Sequence, residues 1–273
     1  MFRTKPSPAR PQKPGDPPYH QLPPDEITRL TDYIVHRARL LDRDLLPYGD
    51  PAGKDVLIFG CGYGNEVLWA ARHEARSILA IDLSAGLSPV PCERAMEQLG
   101  ITHGDYGFRR QNIHDTALSG ERYDLVVSNG VFEHVMDLKG VLGAFRSLLR
   151  SEGRVAIFAD ALWYSSIGGH VGPEQEPWEH LWRTPQELKS IFPKRWSVIC
   201  NQLNRMTATD FLQAVRSVGM IVLQLRLGRD PNLARLSDYL PRIRERIDVS
   251  PSDLSIVSIG CELCFEENLA PTA

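Results

Sequence analysis

A glycine-rich turn constrains this chain more than any other feature of its sequence. The apolar run Asp55–Phe59 is followed at once by Gly60–Gly64 (GCGYG), and a helical pattern begins at Asn65. A short apolar run bounded by glycines is typical of a buried parallel strand. Glycines let the backbone turn sharply and approach a ligand, and the helix beyond offers free N–H groups. The sequence therefore predicts a strand–turn–helix unit with a ligand at the turn.

Strand and helix patterns alternate along the rest of the chain. Further strands are predicted over Ser77–Asp82, Tyr106–Asn112, Tyr123–Ser128, Gly153–Phe158, Met220–Leu227 and Ser255–Phe265. Helices are predicted over Asn65–His73, Glu93–Leu99, Leu138–Arg150, Thr207–Val218 and Leu233–Ile247. This alternation predicts an α/β fold with a mostly parallel sheet and helices on both faces.

The length of 273 residues suits one decorated α/β domain better than two domains. Residues 1–24 are rich in Pro, Lys and Arg, so we predict a flexible arm, with a docking tail as the alternative. The domain then covers 25–273. It contains an N-terminal helix over 25–48, a lid or substrate insertion over 160–203 and a helical insertion over 229–251. The first helix lies either over the ligand or simply in the core.

Charge and composition exclude several classes of partner. The net charge is −3 without a basic stripe, which argues against an obligatory nucleic-acid partner. We find no signal peptide and no apolar run long enough to span a membrane, so we expect a soluble, cytoplasmic protein. The five cysteines are scattered. Cys261 and Cys264 lie on one predicted strand, roughly 10 Å apart and facing opposite sides, which disfavours a disulfide.

An acidic residue ends the second strand of the pattern. Asp82 follows the glycine turn by roughly 20 residues, and a carboxylate there can accept both ribose hydroxyls of an adenosine ligand. The dinucleotide fingerprint G-x-G-x-x-G would place a glycine where this chain has Asn65. The spacing therefore disfavours a nicotinamide dehydrogenase.

These motifs together resemble the class I S-adenosylmethionine (SAM)-dependent methyltransferases of the small-molecule branch. The segments that carry the resemblance are 56–64, Ile81-Asp82, Gln111–Ile113, Tyr123–Asn129 with Val131–Val135, and Leu148–Gly153. It implies a Rossmann-like, seven-stranded, mostly parallel sheet with an antiparallel last strand, and SAM as cofactor with S-adenosylhomocysteine (SAH) as product. The cofactor residues it implies are Gly60, Cys61, Gly62, Tyr63, Gly64, Asp82, Leu83, Asn112, Ile113 and Asn129.

Two positions depart from the family's pattern. Ile58 stands where the first motif usually has an acidic residue, and Asn112 stands where the adenine site commonly has Asp. Asn112 can still hydrogen-bond adenine, because an amide both donates and accepts. Ile58 loses a carboxylate that would help to hold the methionine end of the cofactor.

Three histidines are the candidate catalytic bases. A hydroxyl acceptor must lose a proton during methyl transfer, so a base should lie near the methyl group. His170 and His180 lie in the insertion that follows the fifth strand, and His134 follows the fourth strand. Each of the three has the alternative of bracing its own loop. A metal site with Glu174 or Glu176 matches no zinc spacing, so we predict none.

Aromatic residues are concentrated in the same insertion. Trp163, Tyr164, Trp178 and Trp182 either form a lid that excludes water from the cofactor or pack as a small satellite core. For Trp178 and Trp182, four residues apart, we favour the core.

The preferred function is a SAM-dependent methyltransferase that acts on a small-molecule acceptor, at a hydroxyl oxygen of a sugar, phenol or natural product. The alternative is a non-catalytic subunit on the same fold that supports a partner protein. The sequence leaves the acceptor and the oligomeric state open, with a homodimer among the options.

Overall fold

The computed structural model describes residues 19–102 and 105–268. The strands are β1 (Asp55–Phe59), β2 (Ser77–Asp82), β3 (Tyr106–Arg110), β4 (Tyr123–Asn129), β5 (Leu149–Asp160), β6 (Met220–Arg229) and β7 (Ile256–Phe265). The helices are α1 (Pro24–Asp44), α2 (Asn65–Arg72), α3 (Val90–Leu99), α4 (Ile113–Ala117), α5 (Leu138–Ala144), α6 (Glu179–Trp182), α7 (Pro185–Ile191), α8 (Trp196–Asn201), α9 (Ala208–Ser217), α10 (Leu236–Arg244) and α11 (Pro251–Leu254).

The seven strands form one sheet in the order β3-β2-β1-β4-β5-β7-β6. The first five pair in parallel, while β7 runs antiparallel to both β5 and β6. The predicted fold class is therefore confirmed, including the antiparallel last strand. Because the carboxyl ends of β1, β2, β4 and β5 meet at one edge, the loops after these strands converge there.

Two apolar cores cover the faces of the sheet. Helices α1, α2 and α3 bury one face, with Ile34, Trp69 and Phe108 among the side chains that are almost fully buried. Helices α4, α5 and α9 bury the other, around Phe132 and Phe211. Strand residues buried on both faces explain why β1, β2 and β4 read as continuous apolar runs.

A third core joins the two insertions predicted from the sequence. Trp163, Trp178 and Leu188 come from the first insertion, and Tyr239 and Ile243 from the second. Trp178 is fully buried and its indole N–H donates to the Tyr164 carbonyl at 3.1 Å. We call this group the insertion core. This packing supports the interpretation that Trp178 and Trp182 belong to a small satellite core. It does not support a lid whose aromatic faces are turned towards a ligand.

Several predicted boundaries are wrong. The helix predicted over Leu138–Arg150 ends at Ala144, a 3-10 turn follows at Phe145–Ser147, and β5 begins at Leu149 because that residue pairs with Tyr123. The helix predicted over Leu233–Ile247 divides into a 3-10 turn and α10.

The N-terminal helix ends at Asp44 instead of residue 48. Most of the predicted flexible arm lies outside the described residues. At its end, however, the Tyr19 hydroxyl donates to the Phe108 carbonyl at 2.8 Å and the His20 N–H donates to the Leu87 carbonyl at 2.9 Å. The division into domains otherwise stays a prediction.

Within residues 19–102 and 105–268, none of the helices combines the length and the apolar character that crossing a bilayer requires.

Candidate functional site

A largely apolar cavity of about 520 Å³ opens at the carboxyl edge of the sheet. The loops after β1, β2, β3 and β4 supply its walls. Its lining residues include Phe59, Gly60, Gly62, Ile81, Asp82, Leu83, Gln111, Asn112, Ile113, His114, Gly130, Val131, His134, Val135, Met136 and Val141. An apolar cleft with few polar groups at a strand-end edge is the usual form of a cofactor site in an α/β fold. We call it the strand-end cavity.

The glycine turn depends on its glycines at two positions. Gly60 has φ of 79°, and a Cβ there would clash with the side chain of Val131. Gly64 caps α2 with φ of 96°, and a Cβ there would lie 2.9 Å from Cβ of Cys92. Any larger residue would therefore displace either the loop after β4 or helix α3. The turn keeps its backbone close to the cavity for this reason.

Asp82 connects the end of β2 to the glycine turn. Its Oδ2 accepts a hydrogen bond from the Gly62 N–H at 2.8 Å, and its Oδ1 accepts one from the Ser84 N–H at 2.7 Å. A carboxylate has about four acceptor positions, so two remain for a ligand. These bonds fix the carboxylate at the cavity wall, where it fits two vicinal hydroxyls.

Asn112 has a local role that its sequence position did not reveal. Its Oδ1 caps α4 by accepting from the Asp115 N–H at 2.8 Å, and its Nδ2 donates to the Asp115 carboxylate at 2.7 Å. One amide hydrogen remains for a ligand. The Asn112 side chain is thus a fixed element of the cavity wall rather than a freely rotating contact.

The ten predicted cofactor residues divide into two groups. Those that line the cavity are Gly60, Gly62, Asp82, Leu83, Asn112 and Ile113. Cys61 is buried in the core beneath the turn, where burial raises the pKa of its thiol. Tyr63 packs against the same core, and Gly64 serves as the helix cap. Asn129 points to Glu66. The sequence analysis did not name Val131, Val135, Met136 or Val141 as site residues, although the first two lie in a motif segment, because apolar side chains there give no chemical signal.

A buried polar cluster lies beside the turn, on the α1 side of the sheet. Asn129 donates to the Glu66 carboxyl at 2.8 Å. Glu66 is 3% exposed, and burial raises its pKa to about 7. The positive charge of Arg37 opposes that rise, and the Nε of Arg37 is buried without a hydrogen-bond partner among the described residues. A buried carboxyl and a guanidinium that can still form hydrogen bonds suit a ligand group that carries both an ammonium and a carboxylate, such as an amino acid. Ile58, which stands where the first motif usually has an acid, is fully buried in the core.

His134 lies in the loop after β4, and its position is fixed by the segment before α9. Its Nδ1 pairs with the Gln202 carbonyl at 2.7 Å, so Nδ1 carries the proton and Nε2 is left as an acceptor. Asn204 holds the same loop. Its Nδ2 donates to the carbonyls of Phe132 and Val135 at 2.6 and 2.7 Å, and its N–H donates to the Glu133 carbonyl. The imidazole is therefore presented in one tautomer and one orientation.

A second cavity of about 640 Å³ adjoins the first, and His134 lines both. Its other walls are Ala161, Ile167, His170, Gly172, Pro173, Arg195, Val198 and Gln202. All eight of these residues lie within 160–203, the segment that the sequence predicts to be an insertion. We call it the insertion cavity.

His170 and His180 have different environments. His170 lines the insertion cavity, its Nε2 pairs with the Ala161 carbonyl at 2.8 Å, and its ring meets that of His134 edge-on at 5.3 Å. Burial lowers the pKa of His170. His180 is 5% exposed, lines neither cavity, and pairs through Nε2 with the Trp163 carbonyl at 2.6 Å and through Nδ1 with Gln175 at 3.0 Å. Burial lowers its pKa to about 4. Because His180 is buried and both of its ring nitrogens form hydrogen bonds, its role in this structure is to hold the insertion together.

The sequence of this chain matches a known family over most of the described fold. The pattern of the family described as "Methyltransferase domain" covers residues 33–225. The chain belongs to the methyltransferase-domain family. This confirms the resemblance that the motifs indicated. Its match begins inside α1 and ends in β6, so it contains both cavities.

Two curated relatives of this methyltransferase-domain chain carry the name ubiquinone biosynthesis O-methyltransferase. The protein of Cereibacter sphaeroides is 35% identical over 139 residues, which are 50% of this chain and 52% of that protein. The protein of a Ruegeria species is 34% identical over 136 residues, with the same coverage of 50% and 52%. The chain thus spans about half the length of the curated relatives it matches.

Solved structures share the fold at low sequence identity. A Listeria monocytogenes protein described as an S-adenosylmethionine-dependent methyltransferase gives a TM-score of 0.51 at 16% identity, over 83% of this chain and 96% of that one. Geranyl diphosphate C-methyltransferase from Streptomyces coelicolor gives 0.51 at 17%, over 91% and 87%. These likenesses concern the fold.

Proposed function

We propose that this methyltransferase-domain protein binds SAM and transfers its methyl group to a hydroxyl oxygen of a small molecule. The observation that carries the proposal is the position of His134. It lies between the strand-end cavity and the insertion cavity, with one ring nitrogen fixed and the other left as an acceptor. Two adjoining cavities with a base between them are what proton removal coupled to group transfer requires.

The strand-end cavity is the proposed cofactor site. Asp82 would hold the ribose hydroxyls, while Asn112 and Ile113 would border the adenine. The Glu66–Arg37 cluster would hold the amino and carboxylate groups of the methionine end. The relatives named as O-methyltransferases support the choice of oxygen as acceptor atom.

The insertion cavity is the proposed acceptor site. Bound SAM supplies an electrophilic methyl carbon, and the protein supplies alignment. His134 would take the hydroxyl proton at Nε2 as the oxygen bonds to the methyl carbon, while the bond from that carbon to the cofactor sulfur would break and leave SAH. The hydrogen bond from Nδ1–H to the Gln202 carbonyl would stabilise the imidazolium that results. Val131 and Val135 would keep water from the reacting atoms.

The test compares His134→Asn with the wild type in a methyl-transfer assay with SAM and catechol. We expect turnover to fall on the order of 10²–10⁴-fold, the usual contribution of a general base, while calorimetry shows unchanged SAH binding. His36→Asn, in an exposed position on α1, is the matched control. Full turnover in His134→Asn would reject His134 as the base.

One observation favours the non-catalytic alternative. Ile58 stands where the first motif usually has an acid, and burial raises the pKa of Glu66, the acid beside the glycine turn. Failure to bind either SAM or SAH would favour such a subunit. Methyl transfer by the isolated protein to a small-molecule acceptor would dismiss this alternative.

A further inference from the structure

The insertion cavity has an unusual charge pattern. Its nine lining residues carry one guanidinium, from Arg195, and two imidazoles, from His134 and His170, but no carboxylate. The rest of the wall is apolar or amide, with Ile167, Val198 and Pro173 among its members. A cavity with a cationic wall and no acid favours an anionic ligand with an apolar body.

The guanidinium of Arg195 is available for such a ligand. Among residues 19–102 and 105–268, none forms an ion pair with it, whereas Arg76, Arg109 and Arg150 all pair with acids. The charge of Arg195 acts on the cavity. Burial is the main cause of the lowered pKa of His170, and the positive charge of Arg195 lowers it further. An arginine fork matches carboxylate and phosphate oxygens in two parallel hydrogen bonds.

Asp160 does not neutralise the insertion cavity. It attracts His170, but it accepts a hydrogen bond from the Ala161 N–H and lines a different pocket, together with Arg43 and Arg226. The charge that a ligand would meet is therefore positive.

The distribution of these groups gives the ligand an orientation. His134 is shared with the strand-end cavity, whereas Arg195 lines the insertion cavity alone. Arg195 precedes α8, and Gln202 at the end of α8 fixes the His134 ring. The short helix α8 therefore connects Arg195, which would bind an anionic group, to Gln202, which holds His134.

We propose that the acceptor carries an anionic group, a carboxylate or a phosphate ester, which Arg195 binds while the acceptor hydroxyl faces His134. The inference rests on the proposed function for the role of His134, but the anion preference can be measured without turnover. Arg195 would then determine specificity by selecting acidic acceptors over neutral ones of the same shape.

The experiment is a calorimetric titration of SAH-loaded protein with three matched probes: 3,4-dihydroxybenzoate, 3,4-dihydroxyphenyl phosphate and catechol. We expect at least one acid to bind about tenfold or more tightly than catechol, the effect of one charge-assisted hydrogen bond. The comparison of the two acids distinguishes carboxylate from phosphate. Arg195→Gln should abolish the preference, and Lys194→Gln, at the exposed neighbouring position, should retain it.

Three results would overturn the inference: equal affinity for the acids and catechol, a preference that survives in Arg195→Gln, or no binding of either acid. Both variants lie at exposed positions, and their thermal unfolding verifies that they are folded. The titrations are repeated without SAH, so that a protein that fails to bind SAH still reports its anion preference. Loss of SAH binding alone would therefore count against the proposed function and not against the role of Arg195.

Discussion

Asn129, at the end of β4, donates a hydrogen bond of 2.8 Å to the buried carboxyl of Glu66 in the first turn of α2. The bond crosses from the sheet to a helix directly beside the glycine turn. It leaves the protein with an acid whose ordinary pKa of 4.5 is raised to about 7 by burial. This pair links folding stability to pH at the proposed cofactor site.

The first prediction concerns Glu66→Gln. The folded protein keeps a proton on Glu66 that the unfolded chain releases near pH 4.5, so folding loses stability as pH rises from there through about 7. Gln keeps an acceptor for Asn129 and carries no charge. The variant should gain on the order of 1–3 kcal/mol over the wild type at pH 8.5, and little at pH 4.5. Urea unfolding at both pH values measures the difference. An equal effect at both would show that Glu66 does not titrate in this range.

A second prediction tests Asp82. Asp82→Ala removes the carboxylate at the cavity wall and should weaken SAM and SAH binding on the order of 100-fold, as expected for two hydrogen bonds to a charged group. It also removes the acceptor of the Gly62 N–H. Asp82→Asn, which keeps one acceptor oxygen, should lose less. If calorimetry shows unchanged affinity for SAM and SAH in both variants, Asp82 does not bind the ribose.

A third prediction assigns Asn204 a positioning role. Asn204→Ala frees the carbonyls of Phe132 and Val135 and releases the loop that carries His134. Turnover should fall on the order of 10–100-fold, because small displacements of a reacting group are costly. SAH affinity and the KM for SAM should change little. The control is Asn201→Ala, at an exposed position of α8. A parallel loss of SAH binding would indicate a general structural defect instead.

A fourth prediction concerns the opposite edge of the sheet. The Asp55 carboxylate accepts from Arg76 Nε at 2.8 Å, Ser77 Oγ at 2.7 Å and Arg150 at 2.6 Å, and these bonds hold its pKa well below the usual range. Because the folded pKa is lowered, the stability it contributes is present above about pH 4 and is lost as pH falls below that value. Asp55→Asn should cost about 1–3 kcal/mol at pH 7.

The cost of Asp55→Asn should shrink progressively in acid and at high salt, because Arg76 and Arg150 are partly exposed. Chemical denaturation between pH 2 and 7 measures it. Glu97→Gln, at an exposed position of α3, provides the neutral comparison. A constant cost over the whole range would mean that the charge of Asp55 contributes nothing.

The sequence predicted the parallel sheet and the strand-end site because both depend on local patterns. Buried parallel strands are apolar on both faces, and the glycine turn needs particular residues at Gly60 and Gly64. Asp82 was predicted for the same reason, since its distance from the turn reflects one strand–helix–strand unit.

The roles of the histidines and of Glu66 could not be predicted, because they depend on contacts between segments that are distant in sequence. Nothing near His134 in sequence shows that Gln202 and Asn204 fix its loop, and nothing near His180 shows that Trp163 and Gln175 occupy its ring nitrogens. The prediction therefore ranked the histidines by their place in an aromatic segment, whereas burial and hydrogen bonding separate them. Glu66 was missed because a glutamate in the first turn of a helix is ordinarily a solvated residue.

The insertion core is assembled from two stretches of chain, one before α9 and one after β6. Neither stretch can bury its aromatic residues without the other. They should consequently behave as one cooperative folding unit, whose opening would expose the insertion cavity while leaving the sheet intact. The same arrangement lets the residues of the insertion core vary in sequence independently of the sheet. Substitutions there could alter the insertion cavity while the glycine turn and the strands remain unchanged.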